Sequence, residues 1–214
     1  MSEAEIITGA RAFLRANLTG TIGFDEEFIP IKLVVAPDGA LVAPVMVAML
    51  RALDVVVFLP EEDDAAMQLQ VTLEEIEDKG EHAALCDRWR IYHGEPEDVR
   101  WARFSIDAAK FDGRMFDGMA LMEPNPLAEA EARICRRVNA EMRDLLRKAC
   151  LRAAEVDVED PRLVGVDPLG FDVRGRFDVV RIDADPEIVD EADAFAALEE
   201  LASDEDAPDA PPAG

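Results

Sequence analysis

Residues 28–45, FIPIKLVVAPDGALVAPV, consist of two apolar, β-branched runs on either side of the turn Pro37-Asp38-Gly39. Two such runs joined by a Pro-Asp-Gly turn are typical of a β-hairpin. The pattern around this hairpin predicts a helix at 3–17, a strand near 21–24, a short helix at 46–53, and strands at 55–59, 67–76 and near 104–116. We therefore expect residues 10–120 to form a six-stranded, barrel-like sheet.

The chain changes character at Glu123-Pro124-Asn125-Pro126, where the apolar period changes from two residues to 3.6. Residues 127–155 predict one long amphipathic helix with an apolar and a cationic face. Strands at 162–166, 170–174 and 177–182 and a helix at 190–201 are predicted to follow. The fold class is therefore α+β, with expected domains at 1–122 and 123–202 and a disordered, acidic, Pro/Ala-rich tail at 203–214.

The charge balance excludes several kinds of partner. The 214 residues include 22 Lys and Arg against 47 Asp and Glu, a formal net charge of −25. Nucleic acids and anionic membranes are bound through Lys and Arg, so neither is expected as a partner. The most apolar window, 40–60, contains Arg51 and Asp54, which disfavour a membrane span.

The cysteines and the start of the chain indicate a cytoplasmic protein. Cys86, Cys135 and Cys150 have no metal-binding or redox spacing, so we expect three buried thiols in a reducing cytoplasm. Glu3 and Glu5 stand where a signal peptide needs positive charge.

Two segments of the second half resemble a known family. Residues 131–146, EARICRRVNAEMRDLL, and 165–174, GVDPLGFDVR, are similar to the small C-terminal α/β domain of HugZ-like heme-utilisation proteins. The positions that match the helix segment are Glu131, Ile134, Asn139, Asp144 and Leu146. In that family the domain follows an FMN-binding split barrel of the pyridoxamine 5'-phosphate oxidase-like type. Residues 13–22 of this chain resemble the opening helix and strand of that barrel. The resemblance implies a split β-barrel with a C-terminal helix–antiparallel strands–helix domain.

The flavin positions of that family are changed in this chain. The family places a Ser and a His-Thr-Arg-Asn-Leu segment around the flavin phosphate. Here Arg51 falls on the Arg, but Ala43, Met49 and Leu50 replace the hydroxyl and imidazole donors. A phosphate needs several convergent donors, and one guanidinium supplies at most two. We therefore predict that flavin mononucleotide binds weakly or not at all.

The family's helix histidines are also missing, because Arg137 and Met142 stand in their places. His82 and His93 are the two histidines of the chain. His93 is the candidate heme axial ligand, with a structural hydrogen bond as the alternative.

The candidate cofactor-binding residues are Arg51, Lys32, Arg88 and Arg90. Arg51 could instead pair with Asp54, and Lys32 could be an exposed strand lysine. The clusters Arg88-Trp89-Arg90 and Arg100-Trp101-Arg103 suit either a planar anionic ligand, such as FMN or heme, or a subunit contact.

Three functions remain open: a flavin-dependent oxidoreductase, a heme-binding or heme-degrading protein, and a non-catalytic binding module. We favour a ligand-binding or regulatory protein of tetrapyrrole and heme metabolism, with an FMN-dependent oxidoreductase of the pyridoxamine 5'-phosphate oxidase-like type as the alternative. The aromatic and arginine side chains of residues 88–116 exceed what the interior of a small barrel holds. We therefore also expect a homodimer.

Overall fold

The computed structural model describes residues 2–63, 65–97 and 100–203. It divides into two compact units, the first ending at Asn125 and the second beginning at Pro126. Each unit has its own hydrophobic core. The tail predicted at 203–214 lies outside the described residues from position 204 onward.

The first unit is an eight-stranded antiparallel sheet with two helices. Its elements are α1 (Glu3–Ala16), β1 (Thr19–Phe24), β2 (Glu27–Lys32), β3 (Val34–Val35), β4 (Leu41–Val45), β5 (Val55–Leu59), β6 (Met67–Ile76), α2 (Ala83–His93), β7 (Arg100–Phe111) and β8 (Arg114–Asp117). Short 3₁₀ turns lie at Met49–Arg51, Gly80–His82 and Gly118–Leu121. A capping box between Ser2 and Glu5 begins α1, and Ile6, Ala10 and Leu14 form its buried face.

The strand order shows that this sheet curls into a half-barrel. The order is β2-β1-β5-β6-β7-β4-β3, with β8 paired to β7. Strands β2 and β3 stand at opposite ends of that order, yet Leu33 alone separates them in the chain. The two edges of the sheet must therefore come together at Leu33, whose amide donates to Leu18 O at 2.7 Å.

The second unit has the order helix, strands, helix. It contains α3 (Ala128–Glu141), α4 (Arg143–Ala153), β9 (Arg162–Asp167), β10 (Gly170–Arg174), β11 (Val179–Asp183) and α5 (Glu191–Leu201). The three strands form an antiparallel sheet in the order β11-β10-β9. Both the α+β class and the half-barrel with this helix–strands–helix arrangement are confirmed.

Several sequence-based boundaries were wrong. The hairpin pairs Val34–Val35 alone with β4, whereas Glu27–Lys32 pairs with β1 as an edge strand, a position that tolerates Pro30. The strand near 104–116 is the hairpin of β7 and β8, and the first run of the predicted hairpin divides into β2 and β3, so the sheet has eight strands rather than six. Residues 83–93, for which no helix was predicted, form α2. The predicted helix at 127–155 is two helices that meet at Met142.

Candidate functional site

Helix α2 brings together most of the residues that the sequence singled out. The Trp89 side chain is 6% exposed, and its Nε1 donates to Lys32 O at 2.8 Å. Its ring meets the buried Trp101 ring edge-on, with 5.7 Å between centroids. The aromatic residues of the two Arg–Trp clusters are thus used to pack α2 within the first unit.

His93 holds the same part of the chain one helical turn later. Its Nε2 lies 2.9 Å from Leu33 O, and its ring lies 5.0 Å from that of Trp89. Trp89 and His93 therefore secure Lys32 and Leu33, the point at which the chain passes from one edge of the sheet to the other. An iron ligand at Nε2 of His93 would have to displace this hydrogen bond.

The two candidate arginines of α2 have partners of their own. Arg90 lies 5.1 Å over the Trp101 ring and donates from Nη1 to Asp78 and Asp87, each at 3.0 Å. The hydrogen bond from Arg90 lowers the pKa of Asp78. Arg88 donates from Nη2 to the Tyr92 hydroxyl at 3.1 Å. Both arginines therefore stabilise the surroundings of α2.

Lys32 and Arg51 differ from the other candidates because both side chains are exposed. Within the described residues neither of them forms an ion pair, and the alternative pairing of Arg51 with Asp54 is not formed. Lys32 stands opposite Thr19 on β1, whereas Val55, the start of the strand that follows Arg51, stands opposite Phe24. Those two positions are roughly 17 Å apart along β1. No hydrogen bond or ion pair joins Arg51 to the group around α2 among the residues described.

The positions that resemble the flavin phosphate site belong to the barrel core. Ala43 is fully buried in β4, Met49 is 3% exposed, and Leu50 packs against the same core. None of these side chains can donate a hydrogen bond to a phosphate.

The two positions that replace the helix histidines contribute to the second unit. The Arg137 guanidinium lies 4.3 Å over the Phe195 ring, and its Nε lies 3.5 Å from Glu141. Met142 stands where α3 gives way to α4 and packs against the core of the unit.

A buried ion cluster in the second unit was not predicted from the sequence. Arg181 donates from Nη2 to Asp167 at 2.7 Å and from Nη1 to Asp172 at 3.1 Å, and all three side chains are buried. Burial alone would lower the pKa of Arg181, but the two carboxylates raise it above its usual value. Asp172 stands directly opposite Arg181 in the β10–β11 pairing. Their ion pair could therefore be predicted from the sequence only if the register of these two strands were known.

The residues that carry the family resemblance hold the second unit together. Glu131 Oε1 accepts a hydrogen bond from Val166 N at 3.1 Å. The Asn139 side chain both donates to Leu163 O and accepts from Leu163 N, each at 2.8 Å. With Asp172 in the ion cluster, these residues attach α3 to β9 and lock the three strands, so their role is structural.

Two of the three cysteines are buried as expected. Burial raises the pKa of Cys86 and of Cys150 to about 11, which leaves both as unreactive thiols. Cys135, contrary to expectation, is only partly buried. Across the described ranges, no group of three or more His, Cys, Asp or Glu residues is placed to hold a metal ion. No helix in the described part of the chain is long and apolar enough to cross a membrane.

Comparison with known proteins supports the fold. No family model matches the chain, and no curated protein matches it. The protein Atu2129 of Agrobacterium tumefaciens strain C58, whose function is unknown, aligns with 95% of this chain and 97% of its own at a TM-score of 0.72 and 16% identity. A heme-binding protein from Mycobacterium smegmatis aligns with 94% of this chain and 97% of its own, at 18% identity and a TM-score of 0.41. The first likeness shows that the fold occurs elsewhere; the second is too weak to carry an argument.

Proposed function

We propose that the chain is a ligand-binding or regulatory protein of heme or tetrapyrrole metabolism that works without a flavin. One observation carries the proposal: the scaffold residues of the resembled family are used, whereas its cofactor positions hold structural side chains. Glu131 and Asn139 make the contacts that build the second unit. Ala43 and Met49, in contrast, fill the barrel core where phosphate donors would stand.

The ligand is proposed to be a planar anionic molecule of the heme type. In a chain of net charge −25, a cation without an acidic partner is available to an anion. Lys32 and Arg51 are exposed cations of this kind; we propose Lys32, beside α2, as a contact for the ligand's carboxylates and Arg51 as a second, separate candidate contact. Arg88 and Arg90 support this site by fixing α2.

Titration of the full chain with hemin, followed by absorbance, tests the proposal. We expect saturable binding of one hemin per chain in the micromolar range or tighter. The variant Lys32→Gln should weaken it about tenfold, because it removes a charge-assisted hydrogen bond, and Arg51→Gln tests whether the second candidate contact takes part. Arg136→Gln, an exposed arginine of α3, makes the same charge change and should have no effect. The absence of saturable binding would refute the proposed function.

The proposal that His93 is the axial ligand has a separate test. His93→Gln keeps a side-chain donor able to reach Leu33 O, and so should leave the fold intact. If His93 binds the iron, this variant loses the ligand-field absorbance bands of the ferric complex. If those bands are unchanged, His93 has the structural role alone.

A homodimer in a reducing cytoplasm completes the proposal. Trp89, Trp101 and Phe104 are buried within the first unit, which leaves fewer aromatic side chains for a subunit contact than the sequence suggested. Ile91 and Met115, at 52% and 68% exposure, remain as apolar side chains for such a contact. Light scattering at tens of micromolar that gives a monomer mass would refute the dimer.

A further inference from the structure

The second unit contains a basic cleft at the end of the β9–β10 hairpin opposite its turn. The cleft has a volume of about 430 Å³ and is lined by Glu159, Asp160, Arg162, Arg174, Gly175 and Arg176. Cavities of this size accommodate small organic ligands. Three arginines around one cleft are unusual in so acidic a chain, which has 22 basic residues against 47 acidic ones.

Two of these arginines stand opposite each other on neighbouring strands. Arg162 on β9 stands directly opposite Arg174 on β10. The strand register therefore places two guanidinium groups at the open end of the hairpin, where they concentrate positive charge.

The carboxylates of the cleft leave arginine donors available. Asp160 accepts a hydrogen bond from Arg143 Nη1 at 2.9 Å, whereas Arg162 Nη2 lies 3.7 Å from it, beyond hydrogen-bonding distance. Arg176 contacts the Phe177 ring, 5.3 Å from its guanidinium, and forms no ion pair within the described ranges. Arg162 and Arg176 therefore keep their N–H groups for a ligand.

We propose that this cleft binds a phosphate monoester carried on a planar ring. The guanidinium groups of Arg162 and Arg176 can each present two N–H donors to one ligand, so together they offer more donors than the two oxygens of a carboxylate need and suit the three terminal oxygens of a phosphate. Phe177, which follows Arg176 in the chain, is 80% exposed, so much of its ring surface is open to stacking against a ligand's ring. The site lies wholly within the second unit and does not depend on the proposed heme-related function.

The test is a titration of the full-length, ¹⁵N-labelled chain with phenyl phosphate, inorganic phosphate and benzoate, followed by NMR. Phenyl phosphate is expected to shift the Gly175 amide and the Nε–H signals of Arg162 and Arg176. It should bind at least threefold more tightly than inorganic phosphate, which lacks the ring, and than benzoate, which lacks the third oxygen. Tighter binding of benzoate would overturn the assignment of a phosphate.

Matched variants locate the site. Arg162→Gln with Arg176→Gln should weaken phenyl phosphate binding at least tenfold, and Phe177→Ala should remove the preference over inorganic phosphate. Arg136→Gln, with the same charge change at an exposed position outside the cleft, should bind as the wild type does. If the double variant binds phenyl phosphate as tightly as the wild type, or if Arg136→Gln weakens binding equally, the cleft is not the site.

Discussion

Replacement of Trp89 by Phe tests whether the Arg–Trp clusters pack α2 or bind a partner. The variant removes the hydrogen bond from Nε1 to Lys32 O and leaves that carbonyl without this donor, at a cost of about 1–3 kcal/mol. The smaller ring also weakens the edge-on contact with Trp101, which contributes about 0.5–1.5 kcal/mol. The first unit should therefore lose about 2–4 kcal/mol of its free energy of unfolding.

Urea denaturation followed by fluorescence measures this loss. Both tryptophans of the chain lie in the first unit, so Trp101 still reports its unfolding in the Trp89→Phe variant. The midpoint should fall while the urea dependence of the unfolding free energy stays constant. Leu53→Ala, at a 97% exposed side chain of the first unit, serves as the control and should cost less than about 1 kcal/mol. A loss below about 0.5 kcal/mol for Trp89→Phe would refute the packing role and restore a ligand or subunit contact.

Two further predictions concern charged groups. Asp172→Asn removes one partner of the buried Arg181 and should destabilise the second unit in a denaturation curve. The loss should be limited to about 2–4 kcal/mol, because Asp167 still pairs with Arg181. The control Asp183→Asn, at a 73% exposed side chain, should cost less than about 1 kcal/mol. Burial raises the pKa of Asp38, but hydrogen bonds from Arg103 and from a backbone amide outweigh it and leave the pKa below its usual 3.8. Asp38 therefore stabilises the fold above about pH 4 and loses this contribution as the pH falls through the lowered pKa. The difference in unfolding free energy between wild type and Asp38→Asn should accordingly become smaller as the pH is lowered. A difference that stays constant from about pH 6 to about pH 2 would contradict this.

Locally patterned elements could be predicted from the sequence, whereas elements defined by distant partners could not. Strand β5 alternates between buried and partly buried positions, so its period of two was readable. Helix α2 has little amphipathic pattern, because its inward-facing residues include Trp89 and His93, whose polar atoms bond the distant Lys32 and Leu33 carbonyls. Nothing in the sequence of α2 itself indicates those partners.

The break at Met142 is a second case of this kind. No Pro or Gly interrupts residues 127–155. The Asn139 carbonyl, which a continuous helix would pair with the Arg143 amide, accepts a hydrogen bond from Arg143 Nε at 2.7 Å instead. The Asn139 side chain is held at the same time by Leu163 on β9. A tertiary contact therefore accompanies the end of α3, and helical periodicity does not encode it.

The candidate site was only partly predictable for the same reason. Residue types identified five candidates, of which the structure places Lys32, Arg88, Arg90 and His93 on or beside α2, whereas Arg51 is not among them. Residue types do not reveal which cations already pair with a carboxylate. Arg90 forms such pairs, whereas Lys32 forms none within the described residues.

Parallel titrations of one preparation with hemin and with flavin mononucleotide decide between a heme-type ligand and a flavin. With Ala43 and Met49 in the barrel core, two or three charge-assisted hydrogen bonds to the flavin phosphate are missing, each of about 1.5–3 kcal/mol. We predict micromolar or tighter binding of hemin and binding of flavin mononucleotide at least about a hundredfold weaker. Submicromolar binding of flavin mononucleotide that survives Arg51→Ala would contradict the proposed function, and so would the absence of saturable hemin binding.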